Sequence, residues 1–371
     1  MTVRSENQRE IRGLITWSWR LLRAHPQRVV LSLLIAVGFV WLFRRGGLPL
    51  VPPAAAFEAQ RWWALPAYAA IAFAANFFRT YRWIYLLRPI APQLSRWRVL
   101  GIGYVGFTAV QIAPLRMGEV VRPYLISQDQ EVTFVQAAGT VGAERTIDGL
   151  VLTLLSFITL TLSTPLSPLP DRLGDLPLPV KAVPGALYLA LLAFTAAFVL
   201  MAVFYWAREA ARRLTLRAVG LISKRLATLL TSVVERLAES LRFLPSTRHV
   251  AAFLRDTLIY WGLGVCGQWL LLRGLGIPAT LVEAGVTLGV MGIGTLIPSG
   301  PGFFGAYQIS AYAGLALFYP ESVLLSAGAG FVFLSYTTQI TVNVLCSVVG
   351  FSLMARFPPR FQERESSALS A

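Results

Sequence analysis

Six charged side chains occur within or beside apolar stretches of this sequence, where a charge is costly. They are Arg116, Glu119, Arg122, Glu144, Arg145 and Asp148. The first three recur every three residues, which places them on one helix face, and the last three stand at the start of the next apolar stretch. A charge at the centre of a membrane-spanning helix costs ~2.5–3.5 kcal/mol, so we expect three bases and three acids to converge in one neutral, buried network beside a polar cavity. The competing interpretation places all six at the membrane surface, reaching the cytoplasm.

The chemistry that this set favours is the binding of a phosphate-bearing anion. Guanidinium groups stay charged at physiological pH and present paired N–H donors that match phosphate oxygens. We therefore expect the three arginines to attract the anion and the three acids to orient the arginines. One of the acids is also a candidate proton carrier in a coupling step.

Other reactive residues are scarce, and their positions argue against a metal centre. Cys266 and Cys346 lie inside apolar runs, and His25 and His249 lie in basic flanks with no second ligand at metal-binding spacing. Neither lysine follows a glycine, as the lysine of a nucleotide-binding P-loop does. We therefore expect no cofactor, no metal and no ATP-driven transport by this chain alone. The sequence also offers no nucleophile–base pair that would indicate an enzyme.

The composition of the chain indicates that membrane-spanning helices must position these charges. Of 371 residues, 56% are hydrophobic and only 14% are charged, and the mean hydropathy is +0.61. Too few polar side chains are present to cover soluble domains of this total size, so the sequence predicts an all-α, polytopic membrane helix bundle of about eight spans. The 33 basic against 18 acidic residues give a net charge of +15, which in an apolar chain indicates cytoplasmic loops and lipid headgroups, and no nucleic acid partner.

The basic residues also divide the chain and orient it. The predicted parts are a basic amphipathic N-terminal segment (1–28), a membrane domain (29–355) that contains a basic cytoplasmic helical connector (207–255), and a short cytoplasmic tail (356–371). A signal peptide is the competing interpretation of the first part. Arg79 and Arg82 belong to another basic connection, which we place in the cytoplasm. These positions predict a multi-pass protein of the cytoplasmic membrane with both termini inside.

Two apolar runs are interrupted in the same way. One meets Pro114 and resumes after Gly118, and a later one meets Pro298 and resumes after Gly302, so that a glycine follows four residues after each proline. We interpret them as two re-entrant or broken helix hairpins related as internal repeats, with half-helix N-termini after the two glycines that would bind an anion. The alternative is a pair of ordinary helix connections at the membrane surface.

Three motifs follow one another along the chain. They are Pro114-x-Arg116-x-Gly118-Glu119-x-x-Arg122-Pro123, Glu144-Arg145-x-x-Asp148 and Pro298-x-x-Pro301-Gly302-x-x-Gly305. In this order and at this spacing, over residues 65–354, they resemble the lysylphosphatidylglycerol synthase transmembrane-region family, whose best-known members carry a flippase-like domain. The family pattern often has an acid shortly after the last glycine, and this chain has Gln308 at the corresponding position. This departure bears on whether its substrate and its energy coupling match those of other family members.

The resemblance implies a stand-alone flippase-like module without the soluble synthase domain, because only residues 357–371 follow the membrane part. Its implied activity is translocation of an anionic phospholipid, a glycolipid or a polyprenyl-phosphate intermediate across the cytoplasmic membrane, by rocking of two halves. The motif residues and Gln308 would then bind the substrate. One alternative is an intramembrane lipid-modifying transferase with Glu119, Glu144 or Asp148 as general base. Another is a non-transporting scaffold whose basic helix, residues 214–244, recruits a partner.

Overall fold

The computed structural model describes residues 26–58, 60–129, 131–176, 180–207, 209, 213, 241–242 and 246–359. Most of the predicted N-terminal segment, most of the predicted connector and almost all of the tail therefore lie outside the described residues. So does nearly all of the basic helix predicted over residues 214–244.

Helices α1–α11 follow one another through the described part of the chain. They are α1 (Pro26–Arg45), α2 (Ala64–Tyr81), α3 (Trp83–Leu87), α4 (Arg96–Ile112), α5 (Val121–Ser127), α6 (Phe134–Leu162), α7 (Ala182–Trp206), α8 (Thr247–Gly274), α9 (Leu281–Gly294), α10 (Ala306–Leu315) and α11 (Ala329–Arg356). Short 3₁₀ helices occupy Ala54–Phe57, Pro114–Val120 and Pro301–Phe303. Helix α11 ends a continuous helical stretch, Glu321–Arg356, which includes a π-helical turn at Leu324–Gly328.

Four helical stretches are long and apolar enough to cross a membrane: α1, α6, Ala182–Val203 of α7, and Glu321–Arg356. About 20 helical residues span the hydrocarbon layer. In α1 and α7 only 11% and 6% of the most apolar window is buried inside the protein, so apolar side chains face outward around most of each helix, a surface suited to lipid. The predicted all-α polytopic bundle is confirmed, while the number of about eight spans stays a prediction.

Helix α6 begins earlier than the sequence pattern indicated. We expected this apolar element to start at residue 149, but the helix starts fifteen residues earlier. A capping box fixes the start, because the Gln136 N–H donates to the Thr133 hydroxyl and the Thr133 N–H donates to the Gln136 side chain. The charges of the second motif therefore lie in the interior of a long helix instead of at the beginning of a span, and other helices must compensate them.

Helices α4 and α5 form an antiparallel hairpin with the 3₁₀ helix at its tip. Two glycines show the direction, because Gly106 lies against the Arg122 side chain and Gly118 lies against the backbone of Ala109. The arms have 17 and 7 residues, or about 25 and 10 Å, and are shorter than the ~30 Å hydrocarbon layer. The predicted helix break is present, whereas its re-entry into the membrane stays a prediction.

Helices α9 and α10 form a second antiparallel hairpin. Gly294 near the end of one arm lies against Ser310 of the other, and Gly314 lies against Thr287. These arms have 14 and 10 residues, or about 21 and 15 Å. The break here also occurs where it was predicted, and the relation of the two hairpins as internal repeats stays a prediction.

The helix ends at the two breaks require a correction. The first 3₁₀ helix runs through Gly118 directly into α5, so no free helix N-terminus follows this glycine. After Gly302, α10 begins at Ala306, and the Gly305 N–H donates to Gln308 Oε1 at 2.7 Å. One free donor at that helix start is therefore satisfied within the protein. Anion binding at the helix start after Gly302 stays a prediction.

Gly118→Ala should destabilise the first hairpin, because the added Cβ would overlap the main chain of Ala109. Overpacking against backbone typically costs about 1–3 kcal/mol, so we expect a lower midpoint of thermal unfolding in detergent. Gly142→Ala is the matched control, since a Cβ there meets nothing within 4 Å and alanine favours the helix interior. Equal unfolding midpoints for the two variants would contradict the close packing of the hairpin.

Candidate functional site

The most deeply buried part of the site is a group of ion pairs that joins four elements. Arg122 of α5 donates two hydrogen bonds to Glu144 of α6, one of them at 3.1 Å, and neither side chain is more than 1% exposed. Arg82, between α2 and α3, donates to Asp148 of α6 at 2.6 Å and to Thr257 of α8 at 2.7 Å. Arg82 also approaches Glu144 to 3.8 Å. Glu144 is thus shared by two buried arginines.

The location of Arg82 corrects a prediction. We placed it in a cytoplasmic basic connection, but its side chain is fully buried in the ion-pair group. The helix turns at this point, and the carboxylates of α6 attract the side chain inward. A sequence signal for this was present, because Asn76, Arg79 and Arg82 recur at the same three-residue spacing as the charges of the first motif.

A second layer of charge is half-buried and lies beside the first. Glu119 accepts a hydrogen bond from Arg116 at 2.9 Å and one from Arg145 at 3.3 Å. These side chains are about 30% exposed, in contrast to the fully buried pair behind them. The structure therefore brings the six charges identified from the sequence into one cluster, together with Arg82.

The ring of Phe107 in α4 lies at the centre of the cluster. The guanidinium carbons of Arg79, Arg122 and Arg145 lie 3.8, 4.6 and 5.2 Å from its centroid. Trp83 stacks on Arg122 as well, at 4.4 Å. The negative faces of aromatic rings stabilise cations, which helps to hold several guanidinium groups close together in an apolar interior.

The cluster carries more positive charge than we predicted. The sequence suggested three bases and three acids, but the structure adds Arg79 and Arg82 and no further acid within the cluster. Arg79 contacts the rings of Phe107 and Tyr260, and no carboxylate lies within ion-pair distance of it in the described part of the chain. Five arginines thus face three carboxylates, and the predicted neutral network is in fact cationic.

A cavity of about 400 Å³ opens beside the cluster, between most of the long helices. Its charged end is lined by Arg79, Arg116, Glu119, Arg145 and Asp148. An amide chain forms an adjoining wall, because Asn76 of α2 donates to Asn343 of α11, and Asn343 donates to Gln111 of α4 at 2.7 Å. Apolar side chains such as Leu152 and Leu288 line much of the remainder. The cavity therefore has a cationic end and a mainly apolar body.

The tips of the two hairpins meet at a strained contact. Arg116 and Phe303 both have φ of 60°, the non-glycine residues with positive φ in the described structure. The Arg116 guanidinium lies 5.6 Å from the Phe303 ring and donates to the Thr295 carbonyl at 3.4 Å. Both residues line the large cavity and also a second one of about 230 Å³, so they lie where the two spaces adjoin. Positive φ at bulky residues costs energy and is found preferentially at functional sites.

The predicted residues of the second hairpin lie away from the large cavity. Pro298 lines the smaller one. Pro301 begins the 3₁₀ helix, and Gly302, with φ of 75°, leaves room for the Tyr336 hydroxyl. Gly305, with φ of 92°, packs against Phe39 of α1, and Gln308 is buried where it caps α10. These residues shape the hairpin tip, whereas Arg116, Glu119, Arg145 and Asp148 line the cavity itself.

Comparison with protein families gave a match over most of the chain. The family model described as the lysylphosphatidylglycerol synthase TM region matches residues 29–342. That range includes all three motifs, both hairpins and every residue that lines the cavity except Asn343. Comparison with curated proteins gave no match, and comparison with solved structures gave none either.

Proposed function

The chain belongs to the lysylphosphatidylglycerol synthase transmembrane-region family, and on that premise we propose that it translocates an anionic lipid across the cytoplasmic membrane. The headgroup passes through the large cavity while the hydrocarbon tails remain in lipid. The observation that carries the proposal is the excess of arginine at this cavity, with Arg79 unpaired by any described carboxylate. Arg79 is half-buried and no described carboxylate lies within ion-pair distance of it. A cation held in a partly enclosed cavity without a direct ion pair is costly, and a phosphate group in the cavity reduces that cost.

Three arginines line the cavity and are available to touch the phosphate. The Arg79 guanidinium lies over the Phe107 and Tyr260 rings, and Nε of Arg145 is buried without a hydrogen-bond partner among the described residues. Arg116 and Arg145 each keep one contact with Glu119, which orients their remaining N–H groups. Arg122 and Arg82 lie behind them and are engaged by the buried carboxylates. Guanidinium groups bind phosphate through paired donors, so this arrangement suits a phosphate monoester or diester.

The cavity is large enough for a headgroup, since small-molecule sites usually measure 300–1,000 Å³. The hydrocarbon tails require a separate path. Ile112, Leu296 and Ile297, at the hairpin tips, are half or more exposed, and the last two line the smaller cavity. We propose that the tails leave between the hairpin tips, where these apolar side chains meet lipid.

The strained contact between Arg116 and Phe303 is the proposed point of opening. A phosphate that binds Arg116 competes with the Thr295 carbonyl for the same N–H donors. Release of that hydrogen bond would relieve the strain at both hairpin tips and let the two cavities join. Movement of the hairpins against each other then provides the alternating access that the paired breaks suggested.

Transport accounts for the carboxylates better than transferase chemistry does. A general base needs a lone pair directed at the substrate. Glu119 instead accepts from two arginines, and Glu144 and Asp148 are bound by buried ones. We therefore propose that the three acids position arginines. The positive-inside pattern of the sequence supports a cytoplasmic location for both chain termini.

Reconstitution in liposomes tests the proposal directly. Purified protein in vesicles with a trace of fluorescent phosphatidylglycerol in both leaflets should make the inner label accessible to a membrane-impermeant quencher faster than in protein-free vesicles. Parallel vesicles should contain labelled polyprenyl phosphate and a labelled glycosylated phosphate lipid. Rates equal to those of protein-free vesicles for all three lipids would overturn the proposal.

A further inference from the structure

The amide chain beside the large cavity joins three helices through buried side chains. Asn76 of α2 donates to Oδ1 of Asn343 of α11, and Nδ2 of Asn343 donates to Oε1 of Gln111 of α4 at 2.7 Å. Each of the three side chains is no more than 8% exposed. Buried polar groups are almost always paired, so a donor that is left over at the end of such a chain indicates a place for a ligand.

The chain has a direction, and its last member keeps an unused donor. The Thr80 hydroxyl donates to the Asn76 oxygen at one end, at 3.4 Å, and the oxygens of Asn343 and Gln111 each accept from the preceding amide. Nε2 of Gln111 donates to no described residue. Because the Gln111 oxygen is held by Asn343, the free end of the chain can only donate. A site of this kind suits the acceptor oxygens of a phosphate and not an ammonium group.

The free end lies where the two cavities adjoin. Gln111 lines both the large cavity and the smaller one, as Arg116 and Phe303 at the hairpin tips do. Leu296 also lines both, and its exposed side chain belongs to the proposed path of the lipid tails. A lipid whose phosphate contacts Arg116 and whose tails leave between the hairpin tips therefore passes Gln111.

We propose that Gln111 is a further substrate-binding residue, which donates from Nε2 to a phosphate oxygen of the lipid at the junction of the two cavities. This inference rests on the proposed transport function and adds an uncharged donor to its arginine site. Passage through a pore requires sites from which the ligand can leave. A neutral donor that lines the same two cavities as Arg116 gives the phosphate a weaker partner as it moves away from the cationic end.

Two substitutions of Gln111 test the inference in the liposome assay with labelled phosphatidylglycerol. Gln111→Glu keeps an oxygen that accepts from Asn343 and replaces the donor with a second oxygen, so the rate should fall at least about tenfold. Gln111→Met keeps the length of the side chain and adds no charge. It should lower the rate about tenfold, because a hydrogen bond to a charged group is lost.

Thr108→Val is the matched control for the contact between α4 and α11. The Thr108 hydroxyl donates to the Asn343 carbonyl at 2.8 Å, so the substitution removes a hydrogen bond between the same two helices. Thr108 lines neither of the two cavities. We therefore expect this variant to keep the wild-type rate.

The comparison of these variants separates the possible outcomes. Rates for both Gln111 variants equal to that of Thr108→Val would overturn the binding role of Gln111 and leave transport standing, whether the common rate is the wild-type rate or a lower one. Unfolding midpoints of the same preparations show whether each variant is folded. If the Gln111→Met protein does not fold, Gln111→Glu decides alone, since it keeps an acceptor for Asn343. No acceleration by the wild-type protein over protein-free vesicles would overturn the transport function itself, and this inference with it.

Discussion

Glu144→Gln should destabilise the protein more than any other single substitution in the cavity region, by about 3–5 kcal/mol. The change removes one negative charge that Arg122 binds with two hydrogen bonds and that Arg82 approaches to 3.8 Å. Both arginines are fully buried, and removal of one partner of a buried ion pair leaves an uncompensated charge in an apolar interior. The unfolding midpoint and the fraction of monodisperse protein in detergent measure the effect.

A double variant distinguishes the loss of charge balance from a loss of shape. Arg122→Gln/Glu144→Gln removes the pair together and should be clearly more stable than Glu144→Gln alone, since no unpaired charge remains from that pair. Glu131→Gln makes the same change at an exposed position and should leave stability within about 0.5 kcal/mol of the wild type. If the single and double variants were equally unstable, the ion pair would not be what holds these helices together.

The fold could be predicted largely because its signals are local. Long apolar runs predict helices in lipid, and proline followed by glycine marks both helix breaks. The start of α6 could not be placed in the same way. Its first turns carry polar and charged residues that hydropathy assigns to a loop, and they become helical because a capping box starts the helix and neighbouring helices supply arginines to its carboxylates.

The site was predicted in part, and the missing part has a physical cause. Arg116, Glu119 and Arg145 stand out in sequence because charges are rare in apolar stretches. Arg79 and Arg82 do not, because arginine at the end of a membrane helix usually marks the cytoplasmic side. Only the structure shows that both turn inward, because Arg82 reaches Asp148 of α6 and Thr257 of α8 and Arg79 lies over the Phe107 ring of α4. The charge excess, on which the transport proposal depends, therefore became visible only in three dimensions.

Arg79→Gln should reduce translocation of anionic lipids about 10–100-fold. A hydrogen bond from a charged donor contributes about 1.5–3 kcal/mol, which corresponds to that range. Because Arg79 has no carboxylate partner in the described structure, its removal breaks no ion pair there, and only its contacts with the Phe107 and Tyr260 rings are lost. Stability should therefore change little while transport falls. Rates of labelled phosphatidylglycerol movement and unfolding midpoints, measured on the same preparations, test both expectations.

The matched variants make this result specific to the anion. Arg61→Gln removes an exposed arginine just before the same helix and should leave the rate unchanged. Arg79→Lys keeps the charge but loses the planar pair of donors, so it should retain an intermediate rate. Any movement of a zwitterionic lipid should be affected less than that of phosphatidylglycerol, because its headgroup carries no net charge to balance the excess of arginine. If Arg79→Gln and Arg61→Gln supported equal rates for phosphatidylglycerol, Arg79 would have no part in binding, and the anion would have to be held by the arginines that Glu119 orients.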